Sequence, residues 1–305
     1  MKVTSLKYLP KLNASVVTLG VFDGVHLAHR KIIKKTIAGA KRLKAKSIVL
    51  TFEKHPKKTT HKKAPPILTT TTKKIELIGK LGVDILVLVD FNKKFASITA
   101  KSFIENILVK KLKAKEVIIG HDYGFGKGKE GNAALLRKEG KVFGFKTEVT
   151  GPVLINRKII SSTKIRDAVL SGDISTAKKY LGRDYSVIGR VEAGKKLGRT
   201  FGFPTANLNC FNEVVPKEGV YAVRINMDGK TYRGACSITS PTFDRPGEPT
   251  VKPEVFIFDF KKSIYNKVME IYFVKRIRGS RKFKGIPALV KQIKKDISVI
   301  KKVLG

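Results

Sequence analysis

The stretch Val16–Lys31, VVTLGVFDGVHLAHRK, decides how the first half of this chain folds. Val16 to Leu19 is an apolar run that reads as a buried strand. Gly20 ends it, Phe22-Asp23-Gly24 makes a turn, and His26 to Thr36 has helical character. A strand that passes through a Gly-containing turn onto a helix leaves free backbone N–H groups and the positive end of the helix dipole at the strand's end, where an anion is favoured. His26 and His29 are three apart and face one side of the first helical turn. Gly20, Phe22, Asp23, His26 and His29 are therefore candidates for a phosphate site. The plainer alternative is two surface histidines on a basic helix, and the rest of the chain decides between them.

Outward from this unit the pattern repeats as strand and helix. Strands are expected at Ser47–Phe52, Asp84–Val89, Glu116–Gly120 and Lys146–Val149, and helices at Thr72–Leu81, Thr99–Leu112 and Asn132–Gly140. Lys57–Pro66 is polar, basic and Pro-ended, and reads as a loop. The run DILVLV (Asp84–Val89) has no alternation, which fits a parallel strand covered on both faces. The predicted architecture is a doubly wound, Rossmann-like α/β sheet, whose ligands bind beyond the carboxyl ends of the strands. Gly20, His55 and Gly120-His121-Asp122 all fall at such ends. Gly126–Gly131 matches G-x-G-x-x-G, but five residues separate it from its strand, so it reads as a flexible loop over the ligand edge rather than a dinucleotide fingerprint. Ile160-Ser-Ser-Thr-Lys-Ile-Arg166 puts Ser161, Ser162, Thr163 and Arg166 at the start of a helix (Ile165–Ser171), a second phosphate grip.

A short helix is expected at Gly172–Leu181, a linker at Gly182-Arg183-Asp184, and a domain boundary at 183/184. From Tyr185 the style changes to short alternating strands with Gly and Pro turns: Ser186–Val191, Gly219–Ile225, Tyr232–Ile238, Glu254–Phe258 and Val268–Val274. Asp228-Gly229 is a hairpin turn, which disposes of a P-loop at Gly229-Lys-Thr. This half is expected to be an antiparallel β-barrel with a terminal amphipathic helix, Lys284–Leu304, whose apolar stripe is Ile286, Val290, Ile293, Ile297 and Ile300. Within it, GRVEAGKKLGRTFGFPTANL (Gly189–Leu208) spaces Gly194, Gly198 and Gly202 among Lys195, Lys196 and Arg199, and ends on Pro204-Thr205-Ala-Asn207. Glycines that admit phosphate, cations beside them and Thr/Asn oxygens suited to Mg2+ suggest a nucleotide–metal site; a glycine-rich barrel turn is the plain alternative.

The chain has 305 residues, 42% hydrophobic, and a formal net charge of +39. That length predicts about two domains. No apolar run reaches the ~18 residues of a membrane span, no signal-peptide core follows Met1, and Cys210 and Cys236 have no metal-ligand spacing, so a reduced cytoplasmic protein without a membrane partner is expected. The charge raises nucleic acid as a partner, but the lysines are scattered and Trp is absent, so solvated lysine faces, with only nonspecific RNA binding at low salt, fit better.

GVFDGVHLAHR (Gly20–Arg30) together with ISSTKIR (Ile160–Arg166) resembles the H-x-G-H and ISST-x-x-R pair of the nucleotidylyltransferase superfamily. FEKHP (Phe52–Pro56) and HDYGFGKGKEGN (His121–Asn132) narrow the resemblance to the FAD synthetase module of bacterial bifunctional riboflavin kinase/FAD synthetases. The second half is similar to the riboflavin kinase module through PTAN, SPTF (Ser240–Phe243), Glu254, Asp259-Phe260, Tyr265 and Arg278–Phe283. The resemblance implies riboflavin, FMN and ATP as substrates, Mg2+ as cofactor, and a monomer or weak homo-oligomer. It implies that His26, His29 and Arg166 act in adenylyl transfer and that Glu254 is the kinase base. It further implies that His55, Asp122 and Phe125 contact flavin in the first module, and Arg278 and Phe283 in the second. Ala28 stands where the family has Gly, from which a reduced or retuned ATP affinity rather than lost function is expected. Phe256 stands where it has His, and Ser237-Ile-Thr239 replaces N-I-G, changes that bear on flavin positioning. Retention of only one activity, or a basic RNA-binding protein, are the competing readings.

Overall fold

A computed structural model describes residues 1–60, 64–193, 197–239 and 252–305, with side chains at all of these except 60, 197, 199 and 252. Packing divides the chain into two units, Met1–Ser161 and Ser162–Gly305.

The first unit is built on six parallel strands: β1 (Lys2–Thr4), β2 (Ser15–Leu19), β3 (Lys46–Phe52), β4 (Ile85–Val89), β5 (Ala114–Gly120) and β6 (Lys146–Thr150), in the order β1-β4-β3-β2-β5-β6. Every residue of β2 is buried, because helices cover a parallel sheet on both faces. From β2 the chain builds the sheet first through β3 and β4, then on the other side through β5 and β6, so the crevice at the switch lies between the ends of β2 and β5. The helices are α1 (Leu27–Arg42), the short α2 (Lys57–Thr60), α3 (Thr71–Gly79), the short α4 (Lys93–Ala96), α5 (Ala100–Ser102) and α6 (Ala133–Phe143). Their starts are set by side chains: Thr70, Asn92, Thr99 and Asn132 each accept a hydrogen bond from the N–H three residues on. After α5 the chain continues as a π-helix over Phe103–Lys111, where one α-helix is expected from sequence. The edge strand β1 carries no periodic signal; pairing with β4 makes it. A small hairpin, β7 (Leu154–Ile155) and β8 (Lys158–Ile159), closes the unit.

The second unit opens with α7 (Ser162–Ser171) and α8 (Ile174–Leu181). The packing boundary thus precedes the expected 183/184 linker. The reason is burial: Ile174, Ala177, Tyr180 and Leu181 of α8 are covered by β9 (Tyr185–Glu192) and β14 (Val268–Arg278). After the one-turn α9 (Leu197–Thr200) come β10 (Ala206–Cys210), β11 (Gly219–Met227), β12 (Lys230–Thr239) and β13 (Lys252–Ile257). The six strands close in the order β10-β13-β12-β11-β14-β9, antiparallel throughout. Asp228 and Gly229 both take positive φ, 51° and 74°, as the two-residue hairpin turn requires. The terminal helix α10 (Ile286–Leu304) packs Ile297, Ile300, Val303 and Leu304 on Ala222, Ala235, Phe256 and Phe258, on the barrel's outer face. Its stripe differs from expectation at both kinds of position: Ile286, in the first turn, is 56% exposed, and Asp296 is buried.

Candidate active sites

In the first unit the loop after β2 is strained where it meets α1. Phe22 and Val25 take φ of 51° and 41°, on either side of Gly24, a conformation costly for residues with a side chain. Phe22, Asp23, Val25 and His26 are nevertheless buried. Asp23 fixes this loop: its carboxylate accepts from Leu68 N–H (2.9 and 3.1 Å) and Thr69 N–H (3.2 Å), and Thr69 Oγ1 accepts from Gly24 N–H (3.1 Å). Asp23 therefore orients the turn. His26 is the N-cap of α1, and its Nδ1 accepts from His29 N–H at 3.4 Å. The two imidazoles stack with centroids 3.5 Å apart and an 18° tilt, and Phe22 meets His29 edge-on at 5.2 Å. The structure thus brings Phe22, His26 and His29 together at a helix N-terminus, where an anion is favoured.

Lys74 of α3 was not foreseen. Its ammonium is buried and donates to Val21 O at 3.4 Å and Phe52 O at 2.5 Å, linking the ends of β2 and β3. Burial lowers its pKa to about 8, against the pull of the Asp23 carboxylate. Below pH 8 folded and unfolded chains both hold this proton, and the full burial cost is present. Between about 8 and 10.5 the unfolded chain binds more protons, so stability rises with pH, by roughly 3 kcal/mol at most. Urea unfolding of the wild type and Lys74→Met at pH 7 and pH 10 checks this: the wild-type gain is to be absent from the variant.

The other predicted contacts are more dispersed. His55 Nδ1 accepts from Lys57 N–H at 3.1 Å and shapes the start of α2. Asp122 is exposed just past β5. Phe125, the third residue implied to contact flavin, is 6% exposed and packs on Phe103 at 5.4 Å, held where Phe125 and Gly131 pair as an isolated bridge. Nor is the glycine loop loose. Lys127 N–H donates to Ile98 O at 2.8 Å, Ala100 N–H to Glu130 Oε1 at 2.7 Å, and a Cβ at Gly126 would sit 2.7 Å from Ala100 N. Ser161 ends the first unit; Ser162 and Thr163 open α7 in the second, where Arg166 is buried.

In the second unit a cavity of about 430 Å³ lies between the barrel wall, the loop before β10 and α10. Glu254, Thr205, Gly198, Arg278 and Phe283 all line it. Register explains the convergence. Glu254 of β13 lies opposite Asn207 of β10 on one side and Ser237 of β12 on the other, so all three share the outer face. Burial raises the Glu254 carboxyl pKa above its usual value. Gly198 is needed where it is: its O accepts from Phe201 and Phe203 N–H, and a Cβ there would collide with the Phe203 carbonyl. Thr205 Oγ1 lies against the same turn. Pro204 and Gly202 are exposed on that loop. Gly194, Lys195, Lys196, SPTF and the Arg199 side chain lie outside the described residues. Phe256 contributes an aromatic wall with Phe203, edge to face at 5.7 Å. Asp296, Gln292 and Arg281 were missed; the signal was a carboxylate at a helical spacing that places it within the apolar stripe.

A parallel α/β unit with an anion-favouring helix N-terminus, joined to a small barrel with its own carboxylate-lined cavity, is the architecture of a two-module nucleotide-dependent transferase. Residues 9–164 match the family model for FAD synthetase and residues 181–304 that for riboflavin kinase. The chain belongs to the family of bifunctional riboflavin kinases/FMN adenylyltransferases. Relatives of that description are 37% identical over 305 residues in Buchnera aphidicola (98% of this chain, 97% of the relative), 39% over 297 residues in Bacillus subtilis (92% and 90%), and 34% over 293 residues in Escherichia coli K12 (95% and 93%). A solved Streptococcus pneumoniae structure described as a macrolide-efflux protein superposes with a TM-score of 0.89 at 33% identity, covering 97% of each chain. No described helix of the present chain is long and apolar enough to cross a membrane.

Proposed function

We propose that this chain acts twice on one flavin, phosphorylating riboflavin to FMN in its second module and adenylylating FMN to FAD in its first. The observation that carries the reading is the second-unit cavity, where Glu254, Thr205, Arg278 and Phe283 converge from distant parts of the sequence. There Glu254 takes the proton of the ribityl 5′-hydroxyl as that oxygen attacks the γ-phosphorus of ATP, and ADP leaves. Gly198, Arg199, Gly202 and Pro204, with Gly194 and Lys195, are assigned to the phosphates of ATP. Thr205 and Asn207 offer a hydroxyl and an amide oxygen, hard donors that fit a magnesium ion held mainly by phosphates. When bound, that ion neutralises charge on the transferring phosphate.

In the first module an FMN phosphate oxygen attacks the α-phosphorus of ATP, the bond to the bridging oxygen breaks, and pyrophosphate leaves. No covalent enzyme intermediate is needed, so positioning and charge stabilisation carry the step. His26 and His29 bind charge developing on the transferring phosphate, and Gly20 lets the loop approach it. Ser161, Ser162, Thr163 and Arg166 supply the hydroxyls and guanidinium for the departing pyrophosphate. Asp122 is the flavin contact best supported, being exposed beyond β5. The free Cys210 and Cys236 fit a reducing cytoplasmic setting, and the unit is read as a monomer or weak homo-oligomer.

One incubation with riboflavin, ATP and magnesium chloride, resolved by chromatography, tests the whole reading. FMN is to appear first and FAD after it, with pyrophosphate. FMN alone, or FAD only from added FMN, reduces the chain to one activity. Neither product overturns the reading.

A further inference from the structure

We propose that Asp296, on the terminal helix, is a positioning residue for riboflavin phosphorylation. It holds Arg278 on the cavity wall and, through Gln292, holds Arg281, so that two guanidiniums fix the Phe283 ring against which the flavin rests. The inference builds on reading this cavity as the riboflavin site.

Asp296 is 5% exposed, and both its oxygens are engaged. Oδ2 accepts from Arg278 Nε at 2.9 Å and lies 2.8 Å from Arg278 Nη2, the two-pronged geometry that fixes a guanidinium plane. Oδ1 accepts from Gln292 Nε2 at 2.6 Å, and Gln292 Oε1 accepts in turn from Arg281 Nη2. Arg278 and Arg281 lie 5.7 and 4.8 Å from the centre of the Phe283 ring. Arg278, Arg281, Phe283 and Asp296 all line the cavity that holds Glu254. Arg278 also donates from Nη1 to Gly279 O at 3.0 Å, so its orientation is set from both ends of the fork.

Stability alone gives no reason for this carboxylate. It interrupts an apolar helix face that includes Leu289, Ile293 and Ile297, and a buried ion pair is often no more stabilising than a well-packed apolar pair. What it does confer is direction. An arginine side chain is long and entropically costly to hold, and one buried carboxylate with a glutamine relay holds two of them beside one aromatic ring.

The test is a double-mutant cycle on the full-length protein, with Asp296→Asn, Arg278→Met and the pair. Riboflavin phosphorylation, FMN adenylylation and thermal unfolding are measured for each. If Asp296 acts through Arg278, Asp296→Asn raises the riboflavin KM about tenfold with a much smaller change in kcat, and adds nothing in the Arg278→Met background. FMN adenylylation is unchanged. Removing one partner of a buried pair can prevent folding, so Gln292→Leu, with and without Arg281→Met, runs the same cycle on the second arm from a less buried position. An unchanged KM, additive effects in the cycles, or equal loss of both activities overturns the proposal. Glu254→Gln is the control for the underlying assignment: if that variant still makes FMN at the wild-type rate, the cavity is not the kinase site. If it does not, and the cycles are additive, only the relay is wrong.

Discussion

Glu254→Gln slows FMN formation by orders of magnitude while FMN adenylylation continues at the wild-type rate. The substitution keeps size and hydrogen-bonding shape on β13 and removes only the ability to take a proton. General-base help of this kind is worth about 10²–10⁴-fold, so a loss within that range is expected in kcat for riboflavin. Burial raises the pKa of Glu254, so its carboxyl keeps its proton to higher pH than a free glutamate. In the wild type, kinase kcat/KM therefore falls as pH drops through this raised value. The Gln variant, having nothing to titrate there, loses that limb of the profile. Stopped assays of riboflavin phosphorylation across pH, beside FMN adenylylation at one pH, check both statements. Loss of the two activities together would refute separate sites.

His29→Ala does the reverse: riboflavin supplied with ATP is converted to FMN and the reaction stalls there. His29 is stacked on His26 and edge-packed on Phe22, so truncation removes one imidazole from the helix N-terminus and the support of the other. Losing a preorganised group that meets developing charge typically costs about 10²–10³-fold. FMN fed directly is to give FAD correspondingly slowly, with kinase turnover intact. An FAD yield matching the wild type would remove the histidine pair from the mechanism.

How much of this was legible depended on whether a residue's neighbours in space were also its neighbours in sequence. Thr99 and Asn132 announce helix starts because a cap acts three residues away, and Asp228-Gly229 announces a hairpin because the turn is local. The strand–turn–helix at Val16–Lys31 is of the same kind. The short β1 was invisible because only β4 makes it a strand. The packing of Phe125 on Phe103 was invisible because nothing near it in sequence reveals that partner. Helices α7 and α8 pack on each other, and α8 turns its apolar face to β9 and β14 of the barrel. At the sites, residue types and spacing pointed to His26, His29 and Thr205, and resemblance to Glu254. Lys74 and Asp296 were missed because Phe52, which Lys74 reaches, and Arg278, which Asp296 holds, lie 22 and 18 residues away in the chain.

The barrel closes on itself, but the parallel sheet has two open sides, and three residues, Lys2–Thr4, cover one of them. Behind them stands ILVLV, a strand with hardly a polar atom beyond its backbone. Unshielded, such a strand recruits other chains through its idle amide and carbonyl groups. Those few residues thus govern colloidal behaviour more than chemistry: a tag or trim that disturbs them threatens precipitation of the enzyme long before it alters turnover.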